Sequence, residues 1–170
     1  IHILDFAAYG AATAIANVTC RLKAFPKAPD NQIDEYTLDA NDSFVMAVEF
    51  ENGALGTIHA SRWATGNRDD LRMRIFGSKG GLDVSYGGRD ANGFRIPQLN
   101  VCLGEDIETH TWRYYPLSPV ETNYERFIRA LRLGETLEPS FAHAAKLQRI
   151  LDKAMQADTG RPGETVVVET

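Results

Sequence analysis

Apolar and polar residues alternate along much of the chain with the period of two that is typical of a β-strand. The clearest case runs from Phe44 to Phe50 and is followed by Asn52-Gly53, the dipeptide most typical of a hairpin turn in which both residues take a positive φ. We therefore predict a hairpin whose return strand covers residues 54–62. Similar patterns predict strands at residues 15–25, 71–76, 82–86, 98–103, 108–115 and 166–168.

Three other segments place apolar residues three and four positions apart, the spacing of an amphipathic helix. Residues 1–9 lack a Ser, Thr, Asp or Asn that could cap a first turn, so they are predicted to be the middle of a helix. Ser118 and Glu121 have the spacing of a capping box and predict the start of a second helix, and a third is predicted after Ser140. The predicted buried stripes are Val120, Tyr124, Phe127, Ile128 and Leu131 in the second helix and Ala144, Leu147, Leu151 and Ala154 in the third. The glycines that can end these helices are Gly10, Gly134 and Gly160.

The order of these elements is a helix, a meander of strands, two helices and a last strand. Consecutive strands joined by short turns favour an α+β fold with a predominantly antiparallel sheet and helices packed on one face. We expect the two late helices to cover that face. The opposite face is predicted to face solvent or to pair with another subunit, and it carries Thr57, His59, Ser61, Arg72 and Arg74.

Composition narrows the possible functions. The chain has 170 residues, enough for one domain with a substantial core, and a net charge of -5, which does not favour a nucleic-acid partner. Its apolar segments are too short to span a bilayer, so no membrane partner is expected. Cys20 and Cys102 are isolated and have no C-x-x-C spacing, which argues against a zinc site or a disulfide framework. These features predict a reducing, cytoplasmic setting.

The first candidate for chemistry is His2. It precedes Asp5 by three residues, so the two share one face of the predicted helix. An imidazole suits proton transfer near neutral pH, and a carboxylate one turn away could orient it. On spacing alone, a histidine on a helix surface with an aspartate nearby is the more common explanation.

A polar loop after the return strand is the second candidate. Arg62, Trp63, Asn67 and Arg68 could bind a hydroxyl-rich or anionic ligand through amide and guanidinium donors, and a solvated connection is equally compatible with these residues. Gly77–Gly81 contains a lysine and three glycines, but it lies between two strands and predicts a hairpin turn. No cofactor-binding signature is present, and no metal site is expected because the histidines lie on separate elements, at His2, His59, His110 and His143.

An ordered series of short segments runs through nearly the whole chain, at His2–Asp5, Asp42–Phe44, Phe50–Gly56, Ser61–Gly66, Ile75–Leu82, Phe127 and Pro139–Ser140, before the final helix and strand. In this order and spacing the chain resembles the C-terminal domain of the Gfo/Idh/MocA oxidoreductases, the glucose-fructose oxidoreductase and inositol dehydrogenase family. The resemblance implies a C-terminal domain of the glyceraldehyde-phosphate-dehydrogenase type.

The resemblance also implies a function. Residues 1–170 would be a substrate-binding and oligomerisation domain that follows a Rossmann domain, absent from this chain, which binds NAD or NADP. His2 corresponds to the histidine of the family's D-x-x-x-H motif, and the loop around Asn67 and Arg68 lies where family members place substrate contacts. The reaction would be hydride transfer at a hydroxyl-bearing carbon of a sugar or polyol, catalysed with a lysine of the Rossmann domain. The isolated chain is therefore expected to be inactive, and its sheet face would form a homodimer or tetramer.

Two alternatives use the same residues differently. The chain could be a non-catalytic module for ligand sensing or assembly that keeps this fold. It could also be an independent α+β binding protein, which predicts a start codon at or just before Ile1. A G-x-G-x-x-G sequence and the motif lysine encoded upstream would favour the enzyme.

Overall fold

The computed structural model of the chain describes residues 1–93, 95–159 and 166–168. The helices are α1 (His2–Ala11), α2 (Asp106–Thr109), α3 (Asn123–Leu133) and α4 (Phe141–Thr159). The strands are β1 (Ile15–Lys23), β2 (Gln32–Ile33), β3 (Tyr36–Thr37), β4 (Ser43–Phe50), β5 (Leu55–Ser61), β6 (Leu71–Gly77), β7 (Gly80–Arg89), β8 (Arg95–Leu103), β9 (Arg113–Tyr115) and β10 (Val166–Val167). All described pairings are antiparallel, which confirms the predicted α+β class.

The chain divides into two compact units. The first unit comprises Ile1–Thr65 and Ala144–Thr170, and the second comprises Gly66–His143. The first unit contains a four-stranded sheet in the order β10-β1-β4-β5, and the second contains one in the order β6-β7-β8-β9. The residues expected to share one sheet face therefore lie on two different sheets, because Thr57, His59 and Ser61 belong to β5 whereas Arg72 and Arg74 belong to β6.

The core of the first unit lies between its sheet and helices α1 and α4. Leu4 of α1, Val18 of β1 and Met46 of β4 are at most 1% exposed. A break in the register of β1 and β4 between Ile15 and Asn17 lets both Ile15 and Val18 face the core, although they are not an even number of residues apart. The core is completed by Cys20, Val48, Phe50, Ile58, Leu147, Ile150, Ala154, Ala157 and Val168.

The predicted hairpin of β4 and β5 is confirmed, but its turn is not the predicted type. Gly53 has a φ of 81°, whereas Asn52 is not among the residues with a positive φ. The Gly53 N–H donates to the Phe50 carbonyl at 2.8 Å, and the Phe50 N–H donates to the Ala54 carbonyl at 2.9 Å. The loop is therefore three residues long, and such a loop requires the left-handed conformation only at its last position.

The first helix continues past its predicted end. Gly10 lies within α1, and Ala12 takes the left-handed conformation that ends the helix, with a φ of 55°. The Asn52 side-chain amide donates to the Ala11 carbonyl at 3.2 Å and satisfies one of the free carbonyls of the last turn. The end of α1 is therefore stabilised by a contact with the β4–β5 turn. The sequence of α1 itself does not predict this contact, because Asn52 is 41 residues away from Ala11.

The second unit is a meander. Gly77 pairs with Gly80, so Ser78 and Lys79 form a two-residue turn between β6 and β7, as predicted for this glycine-rich segment. The strand predicted at residues 108–115 is only partly correct, because α2 occupies residues up to Thr109 and β9 begins at Arg113. Arg113 binds Asp106 through both Nε and Nη2, at 2.6 and 2.7 Å, which joins the short helix to the strand that follows it.

The two late helices differ from each other. Helix α4 contributes Leu147, Ile150, Ala154 and Ala157 to the core of the first unit. Leu147 and Ala154 belong to the stripe predicted from the sequence. Helix α3 does not bury its stripe, since Tyr124 is 86% exposed, and Phe127, Ile128 and Leu131 are also exposed. The predicted end of α4 at Gly160 lies outside the described residues.

Helix α3 also begins later than predicted and ends at Gly134 as expected. Its capping box joins Thr122 and Glu125, with the Glu125 carboxylate accepting from the Thr122 N–H at 2.7 Å. Glu121, the predicted partner of Ser118, instead binds Arg129 at 3.0 Å. Two consecutive sequences, residues 118–121 and 122–125, have the same capping spacing, and the ion pair of Glu121 with Arg129 leaves Glu125 as the glutamate of the cap.

Candidate functional site

His2 is exposed and is the first residue of α1. Leu4, which is 0% exposed, fixes this end of the helix in the core of the first unit. Asp5 follows one helical turn after His2 and is half-buried. The structure thus presents the imidazole to solvent at the start of a helix whose opposite face is buried, an arrangement that leaves it accessible to a ligand.

Arg62 and Trp63 follow directly after β5 and are held through their backbone. The Arg62 N–H donates to the Asp42 carbonyl at 2.9 Å, and the Trp63 N–H donates to Ser61 Oγ at 3.0 Å. The Ser61 and Ser43 hydroxyls are hydrogen-bonded at 2.6 Å across the β4–β5 pair. Both side chains are exposed, so hydrogen-bonded backbone carries a guanidinium and an indole on consecutive residues that are accessible to solvent.

Phe25 supports the indole of Trp63. The two rings meet edge to face, with 6.1 Å between centroids and an angle of 64° between planes. Trp63 remains 54% exposed, so one part of the indole is held by the protein and another part is accessible. An aromatic ring with one free face can pack against the C–H groups of a sugar while neighbouring donors bind its hydroxyls.

Sequence reasoning missed the charged pair of Asp42 and Lys27, which adjoins the backbone of Arg62. Asp42 is 5% exposed, and its Oδ2 accepts from the Phe25 N–H at 2.9 Å and lies 2.9 Å from Lys27 Nζ. The Phe25 N–H lowers the pKa of Asp42 the most, burial opposes it, and Lys27 and the Arg62 charge lower it further. The only signal in the sequence is an acidic residue just before an alternating strand, which does not indicate its partner.

The remaining predicted residues are divided between the units. Asn67 and Arg68 are exposed and belong to the second unit, whereas His2, Arg62 and Trp63 belong to the first. Within the first unit, Ala11 contacts the β4–β5 turn, and α1 packs against β5. His2 is at the end of α1 away from that turn, and Arg62 follows the end of β5 away from the same turn.

The described residues do not form a nucleotide-binding cradle of the usual kind. A dinucleotide pyrophosphate is normally held by a glycine-rich loop that opens a helix. Gly77–Gly81 instead joins two strands, and the N-terminus of α3 is occupied by the Glu125 carboxylate. In the same part of the chain, no group of three His, Cys, Asp or Glu side chains could hold a metal ion, and no helix is long and apolar enough to cross a membrane.

Comparisons with known proteins agree with this fold. Residues 1–83 match the family model for the GFO/IDH/MocA C-terminal domain. Levoglucosan dehydrogenase from Pseudarthrobacter phenanthrenivorans is 25% identical over an alignment covering 71% of this chain and 35% of that protein. The crystal structure of an oxidoreductase domain protein from Kribbella flavida is 26% identical, with a TM-score of 0.75, over 99% of this chain and 48% of that chain.

A levoglucosan dehydrogenase in complex with NADH and levoglucosan has the same fold. Its TM-score is 0.77 at 22% identity, again over 99% of this chain and 48% of that chain. The chain thus spans about half, or less, of the length of these relatives. The family match and the shared fold confirm the resemblance seen in the sequence: residues 1–83 of this chain match the C-terminal domain of the Gfo/Idh/MocA oxidoreductases.

Proposed function

We propose that this chain is the substrate-binding domain of an NAD(P)-dependent oxidoreductase that acts on a sugar or polyol hydroxyl. The observation that supports this most is that Arg62 and Trp63, consecutive residues whose N–H groups are hydrogen-bonded within the first unit, both have exposed side chains. The indole offers an apolar surface and the guanidinium offers donors, the two kinds of contact that a polyhydroxylated ligand requires. Relatives of known substrate include a levoglucosan dehydrogenase.

His2 is the proposed acid and base. Its exposed position lets an imidazole nitrogen accept the hydroxyl proton of the substrate or return it. Trp63 and Arg62 are proposed to bind and orient the substrate, and His2 to move the proton. Asn67 and Arg68, in the second unit, are proposed as further substrate-binding residues, because their amide and guanidinium groups are donors suited to hydroxyls.

The nicotinamide cofactor is proposed to bind elsewhere than on this chain. In support of this proposal, the glycine-rich segment Gly77–Gly81 is a hairpin turn between β6 and β7 and does not open a helix. NAD or NADP, held by a Rossmann domain of the complete protein, would supply the hydride acceptor or donor. A levoglucosan dehydrogenase of the same fold was solved with NADH, which is compatible with this proposal.

The sheet of the second unit is the proposed surface for self-association. One of its faces carries apolar side chains that are only half-buried, at Leu71, Met73, Ile75, Leu82, Val84, Leu99 and Val101. A second copy of the chain that packs its own sheet on this face would bury those side chains, and such pairing would produce a homodimer or a tetramer. Sedimentation of the complete protein tests this proposal.

Turnover of the complete natural protein tests the proposed reaction. We expect reduction of NAD or NADP with at least one member of a panel of sugars and polyols that includes levoglucosan. The substitution His2→Asn should lower kcat by about 100-fold or more, the usual contribution of a general acid or base. His110→Asn is a matched control, because Asn tolerates the left-handed conformation of that residue, where φ is 54°. Sugar binding without any turnover would favour a ligand-sensing module.

A further inference from the structure

We propose that Asp42 is a positioning residue that orients Arg62 and Trp63 for substrate, an inference that rests on the proposed function. Its carboxylate holds the backbone of Phe25, whose ring supports Trp63, and its backbone carbonyl holds the N–H of Arg62. One buried residue thereby connects to both proposed substrate-binding side chains. Lys27 neutralises its charge.

The carboxylate of Asp42 is placed as an internal support, not as a surface group. Its side chain is 2% exposed, and both contacts of Oδ2, with the Phe25 N–H and with Lys27 Nζ, are 2.9 Å long. A buried carboxylate needs a counter-charge or several donors, because burial without them carries a large desolvation penalty. The Phe25 N–H and the ammonium of Lys27 together meet this need.

Lys27 is itself held in place by backbone carbonyls. Its Nζ donates to the Ala40 carbonyl at 2.6 Å and reaches the Leu38 carbonyl at 3.4 Å, in addition to its ion pair with Asp42. An ammonium has three donors, so these three acceptors occupy all of them. Lys27 therefore joins the two ends of the segment between β1 and β4 and holds the Asp42 carboxylate in place.

The backbone of Asp42 completes the connection. Its N–H donates to the Lys23 carbonyl at 2.8 Å, at the end of β1, and its carbonyl accepts from the Arg62 N–H at 2.9 Å, just after β5. Asp42 thus connects two chain segments on either side of β4. If its carboxylate is removed, the Phe25 N–H loses its acceptor and the aromatic ring that supports Trp63 is no longer fixed.

This arrangement predicts an effect on substrate binding and not on proton transfer. In the complete protein, Asp42→Ala should raise the KM for the sugar by about 5- to 10-fold, a loss comparable with the net contribution of one typical hydrogen bond. The kcat should stay within about twofold, because His2 is unchanged. The double variant Asp42→Asn with Lys27→Met keeps an acceptor for Phe25 and removes both charges, so it should recover most of the lost affinity. Lys23→Met is the matched control, since Lys23 is exposed and receives the same substitution.

A spectroscopic measurement tests the positioning role even without turnover. In a Trp112→Phe background, Trp63 is the remaining tryptophan of this chain, and acrylamide quenching of its fluorescence reports how firmly the indole is held. Both Asp42→Ala and Phe25→Leu should increase quenching, whereas Lys23→Met should not. Phe25→Leu leaves the buried pair intact and therefore covers the case in which Asp42→Ala does not fold.

The outcomes separate this inference from the proposed function. If Trp63→Ala raises KM but neither Asp42→Ala nor Phe25→Leu changes KM or quenching, Asp42 is not a positioning residue and the substrate assignment stands. If Trp63→Ala leaves KM unchanged while Asp42→Ala increases quenching, Asp42 positions Trp63 but the proposed substrate site is wrong. A loss of kcat equal to the change in KM for Asp42→Ala would overturn the positioning role.

Discussion

Lys27 Nζ and Asp42 Oδ2 lie 2.9 Å apart, and the carbonyl of the same aspartate accepts from the N–H of Arg62. The lysine side chain is 21% exposed and the aspartate side chain 2%, so the ion pair is largely shielded from solvent. A shielded pair keeps its geometry better than a surface pair, whose side chains exchange with water. In this chain the pair stabilises the segment between β1 and β4, in which Phe25 contacts Trp63 and the Asp42 carbonyl accepts from the Arg62 N–H.

The stability of the protein should fall in acid because of Asp42. The pKa of its carboxyl is lowered in the folded state, first by the Phe25 N–H and further by Lys27 and Arg62. A lowered pKa means that the stabilisation is present above the unfolded pKa of an aspartate, about 3.9, and is lost as the pH falls through the lower folded pKa. Asp83, beside Arg72 and Arg74, and Asp106, beside Arg113, have lowered pKa values as well and act in the same direction.

Urea unfolding followed by circular dichroism between pH 2 and pH 7 measures this dependence. The double variant Asp42→Asn with Lys27→Met should lose less unfolding free energy on acidification than the wild-type protein, because one of the titrating groups is gone. An unchanged dependence of the unfolding free energy on pH in that variant would mean that the pKa of Asp42 is not lowered by folding. Asp106→Asn removes the carboxylate of the ion pair with Arg113, so its pH dependence can be compared with that of the variant that lacks the buried pair.

Leu4→Ala should destabilise the first unit strongly. Leu4 is 0% exposed and joins α1 to the core with Ile15 and Val18, so truncation leaves a cavity there. Such substitutions cost about 2–5 kcal/mol of unfolding free energy. Leu55→Ala is the control, because Leu55 is 82% exposed and its truncation should stay within about 0.5 kcal/mol. Equal losses in chemical denaturation would contradict the placement of α1 on the core.

Gly80→Ala should disturb the second unit more than Gly53→Ala disturbs the first. A Cβ at Gly80 would lie 2.3 Å from the Cys102 carbonyl oxygen, and the φ of this residue is 138°. At Gly53, where φ is 81°, a Cβ would have open space around it. The first change must move β7 away from β8, whereas the second costs only backbone strain of about 1–2 kcal/mol. Thermal unfolding of both variants gives the comparison, and a smaller effect at Gly80 would show that β8 can move aside.

Both cysteines should react slowly with thiol reagents in the folded protein. Cys20 is 2% exposed and Cys102 is 8% exposed, and burial raises the pKa of the Cys20 thiol, with a smaller contribution from Asp158. Less thiolate and less access both slow the reaction. Labelling with a disulfide reagent should therefore be slow in buffer and fast in urea, with Cys102→Ala used to assign the signal of Cys20. Rapid labelling of Cys20 in buffer would contradict its burial.

Several elements could be predicted from near neighbours in the chain. The alternation in β4, followed by Asn52 and Gly53, predicts the hairpin because side-chain alternation and turn preference act within a few residues. The apolar spacing in α4 predicts a buried face for the same reason, and Leu147 and Ala154 do lie in the core. The candidate residues His2, Arg62 and Trp63 were likewise named from local sequence, and the structure shows that all three are exposed.

Other features depended on segments that are distant in the sequence. The end of α1 at Ala12 involves Asn52, and the support of Trp63 involves Phe25 and the buried pair of Asp42 and Lys27. Helix α3 has a strong amphipathic pattern, yet its stripe is exposed, because a pattern shows which face can be buried but not whether a partner surface meets it. Local periodicity therefore determined the elements, whereas long-range contacts, whose free energy arises only on folding, determined where those elements end and how the candidate site is held.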